Sequence, residues 1–434
     1  MNPLIIGILG IGVLFVLLAL RMQIGFAMAL VGFGGFAILS GFGPGLAILG
    51  FEPYQTVSSY TLSVIPLFML MGQFANHSNL GTEIYETANK WIGFLPGGLA
   101  MATVGACAMF AAISGSSLAT AAMFGTIALP EMQKLDYSEK LATGCIAAGG
   151  TLGILIPPSS VLILYGILTE QSIGRLFIAG IIPGILLSLM FIGTIFVITK
   201  INPSMGRPGP KYTIKEKVYS LKNTWAILTL FLLVIGGLYA GWFTPTAAAG
   251  VGAFGAFFIT LLKGRLKWDT LIISLKEAAS STAMIFGILI GAMVFQYFMT
   301  LSQIPTTLAS LIIGAGMGKY LVISLIILGF ILLGCFMEGL SIMVLAIPII
   351  FPIVINMGFD PIWFGIILTL TMEMSLITPP VGVNVFVLSG VAKDIPMSTM
   401  FKGILPFWIA MFICIIILLI FPELVTYLPN KMMG

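Results

Sequence analysis

Long apolar segments separated by short polar stretches dominate this chain of 434 residues. Runs such as Leu4–Leu20, Ile181–Thr199 and Ile404–Phe421 approach or exceed the length that a helix needs to cross a hydrocarbon core about 30 Å thick. Because lipid cannot satisfy open backbone groups, such runs are expected to be helical. The pattern therefore predicts an all-α polytopic membrane protein.

The longest polar stretch, Lys200–Asn223, divides the chain into two halves that match at a nearly constant distance. Pro157-Pro158 in the first half corresponds to Pro379-Pro380, which lies 222 residues later, and Pro130 corresponds to Pro352 at the same offset. A constant offset in a fixed order is typical of a duplicated unit. The chain is therefore predicted to contain two repeats, residues 1–199 and 224–425, with a linker at 200–223 and a C-terminal tail at 426–434.

Each repeat is predicted to have about five transmembrane helices and one re-entrant helical hairpin. The first contains Leu4–Leu20, Ile24–Leu39, Leu62–Ala75, a hairpin near Gly98–Pro130, Leu141–Leu168 and Leu176–Thr199. The second contains Trp225–Ala240, Thr246–Leu262, Ser281–Thr300, a hairpin near Leu321–Pro352, Ile362–Val391 and Gly403–Phe421. Two more polar segments, Thr82–Ile92 and Pro305–Ile313, are expected to lie along the membrane interface as connecting arms.

Loop charge predicts that the repeats have opposite orientations. The linker and the segment Lys263–Lys276 are rich in lysine and arginine and should be cytoplasmic. The expected counterpart of that segment, a loop at Gly43–Ser63, contains Glu52 and no cation. Equivalent loops on opposite sides indicate an inverted repeat. Both termini should then lie outside.

Composition agrees with a membrane protein and excludes several other classes. Charged residues make up 8% of the chain, against about 25% in soluble domains. The four cysteines are scattered and His77 is the only histidine, so neither a zinc site nor a set of nucleophile, base and acid is predicted. The segment Gly314–Tyr320 lacks the spacing of a phosphate loop. We therefore expect neither an enzyme nor an ATPase.

Small polar residues and broken helices mark the candidate chemistry. Ala111–Thr120 is rich in glycine and serine, which could supply oxygen ligands for a hard cation or simply allow close helix packing. Proline has no N–H, so each Pro-Pro pair breaks its helix and frees carbonyl oxygens. Two such breaks at the repeat distance, each preceded by a small-residue hairpin, favour ion sites over simple kinks.

Two carboxylates, Glu338 and Glu373, fall in otherwise apolar segments, where such groups are costly. They could bind a cation, relay a proton, or pair structurally with another group. We rank the structural role first.

Three long motifs resemble the large membrane subunit of the tripartite ATP-independent periplasmic (TRAP) transporters. They are Phe110–Ser117, Gly153–Ser159 and Glu373–Asn384, in that order along the chain. The resemblance implies an elevator-type, sodium-driven importer of an organic acid in the bacterial inner membrane. It also implies two partners, a small four-helix membrane subunit and a periplasmic substrate-binding protein. The small subunit is not expected within this chain, because Met1 leads directly into the first repeat helix.

The resemblance also implies roles for individual residues. The first sodium site would use Ser114, Gly153, Ile156 and Pro158, several of them through backbone carbonyls. The second would use Ser375, Thr378 and Val381 with a hairpin glycine, either Gly339 or Gly334. Neighbouring polar residues are expected to contact the substrate, namely Ser116, Ser117, Ser159 and Asn384. The moving part would be the two hairpins with the broken helices, and the remaining helices would form a scaffold.

Two other functions stay open at this point. A passive channel would need no coupling ion, so sodium-dependent uptake distinguishes it from a transporter. A stand-alone symporter for sodium and divalent anions would need no binding protein, so uptake with and without that protein separates these two. The substrate is also open among C4-dicarboxylates, sialic acids and other sugar acids.

Overall fold

The computed structural model describes residues 2–335 and 337–433, which are helical and contain no β-strand. The helices of the first repeat are α1 Pro3–Ala19, α2 Ile24–Ser40, α3 Phe42–Ser58, α4 Val64–His77, α5 Leu80–Ile92, α6 Gly98–Ser114, α7 Ser117–Lys134, α8 Glu139–Leu155, α9 Ser160–Leu168 and α10 Ile173–Ile201. The linker contains the short α-helix α11 at Ile214–Ser220, with 3₁₀ turns at Pro203–Met205 and Leu221–Asn223.

The second repeat follows the same order. Its helices are α12 Trp225–Phe231, α13 Gly237–Tyr239, α14 Pro245–Leu262, α15 Trp268–Ser302, α16 Ile304–Gly314, α17 Lys319–Gly334, α18 Gly339–Asn356, α19 Pro361–Ser375, α20 Val383–Val391 and α21 Met397–Ile420. A π-helical segment, Leu232–Gly236, joins α12 to α13. The predicted tail lies within a final helix, α22 Glu423–Met433.

The helices of the two repeats correspond in order, although α1 is matched by the interrupted pair α12–α13 and the pair α3–α4 is matched by the single helix α15. Helices α7 and α18 start at residues 117 and 339, and α8 and α19 start at 139 and 361, so both pairs lie 222 residues apart. Each predicted hairpin is a pair of helices, α6–α7 and α17–α18, and each predicted broken span is a pair, α8–α9 and α19–α20. The duplication predicted from the sequence is therefore present in the fold.

The repeats are inverted, because the two hairpins have their bases at opposite ends of the molecule. The base of α6–α7 meets the linker: the Gly97 N–H donates to the Gly206 carbonyl at 2.9 Å, and Arg207 lies 2.7 Å from Asp136. The base of α17–α18 lies at the other end, beside the start of α19. There the hydroxyl of Tyr165, near the end of α9, donates to Pro361 at 2.6 Å.

Two loop predictions were wrong. Gly43–Ser63 is mostly the helix α3, and the 3₁₀ turn that follows at Tyr60–Ser63 leads into α4. Helix α3 is bent by 53° from the segment Tyr60–His77, which contains this turn and α4. Pro44 lies in the first turn of α3, where the backbone N–H has no partner within the helix, so proline costs no hydrogen bond there. The cationic segment Lys263–Lys276 is a loop only over residues 263–267, because α15 begins at Trp268 and is continuous for 35 residues.

Five of the described helices are individually long and apolar enough to cross a membrane, and bent pairs raise that number to as many as eight. Helices α1 and α2, each of 17 residues, are shorter apolar helices in the same array. Their outward sides carry exposed apolar side chains, as the lipid-facing surface of a membrane protein does. The chain is therefore a multi-pass membrane protein.

The helices pack as two blocks. One, the frame, contains α1–α4 and α12–α15; the other, the core block, contains both hairpins, both broken helices, α10 and α21. Glycines allow the closest approaches within each block: a Cβ on Gly25 would lie 2.5 Å from the Gly287 carbonyl in the frame. In the core block, Gly403 of α21 packs directly against the Lys140 carbonyl of α8. Helices α10 and α21 therefore pack with the broken helices rather than with the expected scaffold.

Candidate functional site

The tip of the first hairpin is a tight polar turn. Helix α6 ends at Ser114, and Gly115 follows in the left-handed conformation, with φ of 59°. The Ser114 hydroxyl lies 3.0 Å from the Thr120 hydroxyl, which itself donates to the Ser116 carbonyl at 2.8 Å. Hydroxyl and carbonyl oxygens thus converge at the start of α7.

The break between α8 and α9 lies against this tip. A Cβ on Gly153 would lie 2.6 Å from the Ser116 carbonyl oxygen, so only glycine allows this approach. On the other side of the tip, the Pro158 carbonyl oxygen lies 3.1 Å from the Cβ position of Gly115, and Ser160 donates to the Gly115 carbonyl at 3.0 Å. Three of the four residues predicted for the first sodium site therefore lie around the tip.

The oxygen atoms at this break suit a hard cation. Pro157 has no N–H to offer the Gly153 carbonyl, four residues before it. Within the described chain, the carbonyls of Ile156 and Pro158 accept no backbone hydrogen bond. Hard cations such as Ca²⁺ and Mg²⁺ take oxygen ligands, and the same preference makes these carbonyls candidates for sodium. The Ile156 side chain points away from the tip, against Gly184 of α10, so this residue could contribute only its backbone.

We call the oxygen atoms around the first hairpin tip and the α8–α9 break the first cluster. The second cluster lies at the end of α19. A Cβ on Gly334 would overlap the Ser375 side chain, whereas Gly339 faces Met372. Of the two hairpin glycines, Gly334 is therefore the one in contact with Ser375. The Thr378 hydroxyl donates to the Met374 carbonyl at 2.7 Å.

The two breaks share one feature and differ in another. The Pro157–Pro158 and Pro379–Pro380 peptide bonds are both cis. The first pair is buried, whereas the second pair and the neighbouring Val381, 41% exposed, lie at the surface. In this conformation the second break is thus more accessible than the first.

Glu373 joins the two clusters. It lies on α19, two residues before Ser375, and is 2% exposed. Its carboxyl group accepts a hydrogen bond of 2.6 Å from Ser117, the first residue of α7, which is fully buried. This contact between the repeats agrees with the structural role ranked first for Glu373. Glu338 precedes α18 as its N-cap residue, without a side-chain capping bond.

The four predicted substrate contacts lie around the broken helices, but only Ser116 is not buried. Ser116 and Ser159 cap the N-termini of α7 and α9, accepting from backbone N–H groups at 3.3 and 3.2 Å. Asn384 is buried, with its amide nitrogen 3.5 Å from the Ala147 carbonyl and its Oδ1 without a partner in the described chain. The hydroxyl of Ser117 donates its hydrogen bond to Glu373. Their contact with substrate stays a prediction.

Some residues of these clusters were not identified from the sequence. Thr120 and Ser160 contact the hairpin tip, and their closeness to the named motifs was the only available signal. Trp408, on α21, donates its indole N–H to the Thr378 hydroxyl at 3.0 Å. No local sequence pattern connects two residues that far apart.

A cavity of about 910 Å³ opens between the frame and the core block, at the end away from the linker. Its walls include Gln55, Gln296 and Thr300 from the frame and Gln171 from the α9–α10 turn. The one frame carboxylate in its wall, Glu52, accepts a hydrogen bond from Tyr297 at 2.9 Å. The cavity is a gap with both apolar and polar walls, along which the two blocks face each other.

Comparison with known proteins gives a consistent result over the whole chain. Residues 11–424 match the family model described as the tripartite ATP-independent periplasmic transporter, DctM component. The chain is 38% identical to the C4-dicarboxylate TRAP transporter large permease protein DctM of Pseudomonas aeruginosa, over 88% of this chain and 87% of that protein. It is 32% identical to the sialic acid TRAP transporter large permease protein SiaM of Vibrio cholerae, over 96% and 97%.

Two further similarities extend the comparison. The isethionate TRAP transporter permease protein DctMQ of Oleidesulfovibrio alaskensis is 35% identical over 87% of this chain, which spans 58% of that longer protein. Among solved structures, the YdaH transporter of Alcanivorax borkumensis superposes with a TM-score of 0.64 at 15% identity, covering 89% of this chain and 90% of that one. At that identity the likeness concerns the fold alone.

Proposed function

The chain belongs to the DctM component family of tripartite ATP-independent periplasmic transporters, and from this premise we propose that it imports an organic acid anion coupled to sodium. As a transporter permease subunit it is not an enzyme. The observation that carries the proposal is the pair of matched clusters, in which a hairpin tip meets a broken helix in each repeat.

Sodium coupling is supported by the donor chemistry of these clusters. The first offers the Ser114 hydroxyl with the carbonyls of Gly153, Ile156 and Pro158, and no described carboxylate contacts the tip apart from Glu373 through Ser117. Neutral oxygen donors suit a monovalent hard cation, because no negative charge is left uncompensated in the site when the ion is released. The N-termini of α7 and α9 point into the same region and favour an anion nearby.

The relatives support the proposed substrate class, and the description of the family as a tripartite periplasmic transporter supports the proposed partners. Their names give C4-dicarboxylates, sialic acid and isethionate, which are all organic anions. We take the substrate of this chain from the same class. Capture would fall to a periplasmic binding protein, and a small membrane subunit would complete the complex in the bacterial inner membrane.

An elevator movement is supported by the two-block packing. The core block carries both clusters, and the cavity separates part of it from the frame. The block would move as one body including α10 and α21. Cysteines introduced at Gln171 of the core block and at Gln296 of the frame, which both line the cavity, can be joined by a crosslinker, and this crosslink should stop transport. Full activity with a verified crosslink would contradict the elevator.

The function is tested by uptake into proteoliposomes. The chain with its small subunit and cognate binding protein should accumulate organic acid only with an inward sodium gradient, and the chain alone should transport little. Thr378→Val removes a hydroxyl and leaves the Trp408 indole unpaired, so it should raise the sodium concentration needed for half-maximal uptake. Thr371→Val is the matched control, since Thr371 is a buried threonine of α19 that bonds only its own helix. Robust uptake by the chain alone would favour a stand-alone symporter, and uptake without sodium would refute the coupling.

A further inference from the structure

The linker helix α11 has two distinct faces. It begins at a capping box in which Thr213 and Glu216 bond each other's backbone N–H groups. The backbone N–H and the hydroxyl of Thr213, which both donate to the Glu216 carboxylate, hold the pKa of Glu216 below its usual range. Ile214 and Val218, at i and i+4, share one side of the helix, and Leu221, at i+7, extends this side into the 3₁₀ turn that follows at Leu221–Asn223. This apolar stripe is the face that needs an explanation.

The opposite face of α11 is docked on α5. The Ser220 carbonyl accepts a hydrogen bond from the Thr87 hydroxyl at 3.0 Å, and the Lys217 carbonyl accepts one from the Trp91 indole at 3.1 Å. The Lys217 ammonium lies 4.4 Å from the centre of the Phe94 ring. These contacts determine which way α11 is turned and leave the apolar stripe pointing away from the protein.

The stripe is exposed and flanked by cations. Ile214 is 81% exposed and Val218 is 55% exposed. Three exposed lysines without an ion-pair partner in the described chain lie beside the stripe: Lys211, Lys215 and Lys222. The carboxylate of Glu216, the acidic residue of this helix, accepts hydrogen bonds from Thr213 in the cap. An apolar stripe bordered by lysines is the pattern of a helix that lies in the plane of a membrane surface.

The position of α11 identifies what covers the stripe. The segment Ile214–Asn223 bends by 51° into Trp225–Tyr239, the first span of the second repeat, so α11 is next to the bilayer. Trp91, Tyr219 and Trp225 are exposed around it, as aromatic side chains are at the headgroup level. We propose that α11 is an in-plane membrane anchor whose apolar stripe enters the linker-side leaflet and whose lysines bind anionic phospholipid headgroups.

The proposed anchor would also position neighbouring parts of the protein. The linker is also bonded to the base of the first hairpin region, with Gly209 donating to the Gly93 carbonyl and Gly97 donating to Gly206, both at 2.9 Å. Lipid bound at α11 would therefore set the height of α5 and of that hairpin base relative to the leaflet. The inference concerns lipid binding and does not depend on the ion or the substrate.

The test uses the complete chain in nanodiscs, with an environment-sensitive fluorophore attached at Val218→Cys. The four native cysteines are buried, which limits background labelling. In discs of zwitterionic lipid with increasing phosphatidylglycerol, the probe should move to an apolar environment and become protected from a water-soluble quencher. A probe at Lys215→Cys should stay accessible.

Removing the lysine charges beside the stripe then distinguishes lipid binding at α11 from a general attraction of the whole protein to anionic lipid. Replacing Lys211, Lys215 and Lys222 by glutamine should raise the phosphatidylglycerol fraction needed for half-maximal protection, since each lysine near an anionic surface is worth about a fivefold change in affinity. A control replaces three exposed lysines on other segments near the same end by glutamine, namely Lys134, Lys140 and Lys393. A quenchable probe at position 218 in every lipid mixture would overturn the proposal, and so would an equal shift in the control.

Discussion

The hydrogen bond between Ser117 and Glu373 should be one of the most costly single contacts to lose. Both residues are at most 2% exposed, and the donor and acceptor oxygens are 2.6 Å apart. Ser117→Ala leaves the buried carboxyl group without its partner, which should lower the free energy of unfolding by about 1.5–3 kcal/mol. Since 1.4 kcal/mol is a factor of ten, the unfolding equilibrium should shift by roughly 10- to 150-fold.

A double-mutant cycle isolates this bond. Glu373→Met keeps a similar volume and removes the carboxyl group, so Ser117→Ala should cost much less in that background. The coupling, measured by equilibrium unfolding in mixed micelles, should reach about 1.5–3 kcal/mol.

A matched control shows whether burial alone explains the effect. Ser274 is a fully buried serine on α15 whose hydroxyl has no partner in the described chain. Ser274→Ala should therefore change stability by less than about 0.5 kcal/mol. Additive costs in the cycle, or an equal loss in the control, would refute the reasoning that one bond joins the two repeats here.

Three further predictions test the topology, the packing and the first cluster. Cysteines at Tyr54, which is 75% exposed, and at Lys211 should be labelled from opposite sides of the membrane, and labelling from one side would contradict the inverted repeat. Gly403→Leu should destabilise the protein by about 1–3 kcal/mol in thermal unfolding, because Gly403 packs on the Lys140 carbonyl; Gly390→Leu, with open space around it, should not. Ser114→Ala should weaken sodium-dependent uptake, and unchanged sodium dependence in folded protein would argue against the first site.

The elements of the fold were largely predictable from the sequence. Each hairpin and broken helix lies within a few residues of its predicted place, because apolar length and proline act locally on the backbone. The errors concerned loops. Gly43–Ser63 was expected to be a loop because it is the counterpart of the cationic segment Lys263–Lys276, yet most of it is helical in α3, where Tyr297 from a distant helix bonds Glu52.

The candidate site was predictable only in part. Motif positions placed Ser114, Gly153 and Pro158 near one another, and the structure brings them around one hairpin tip. The choice of Gly334 over Gly339 as the neighbour of Ser375 depended on how α17 packs on α19. Motifs specify residues along the chain, whereas the contact depends on the rotation of one helix against another.

By itself the sequence determined the class of protein, the duplication, the opposite orientation of the repeats and the places where helices break. The class and the breaks follow from hydropathy and proline chemistry, the duplication from the constant offset of 222 residues between matching prolines, and the orientation from the contrast in charge between the two halves. All of these can be obtained from residues along the chain without knowing which helices touch. Only the tertiary structure decided that α10 and α21 belong with the broken helices, that Ser117 bonds Glu373, and that Trp408 bonds Thr378. Each of these depends on which faces of distant helices meet, and that is determined by the packing of the whole bundle.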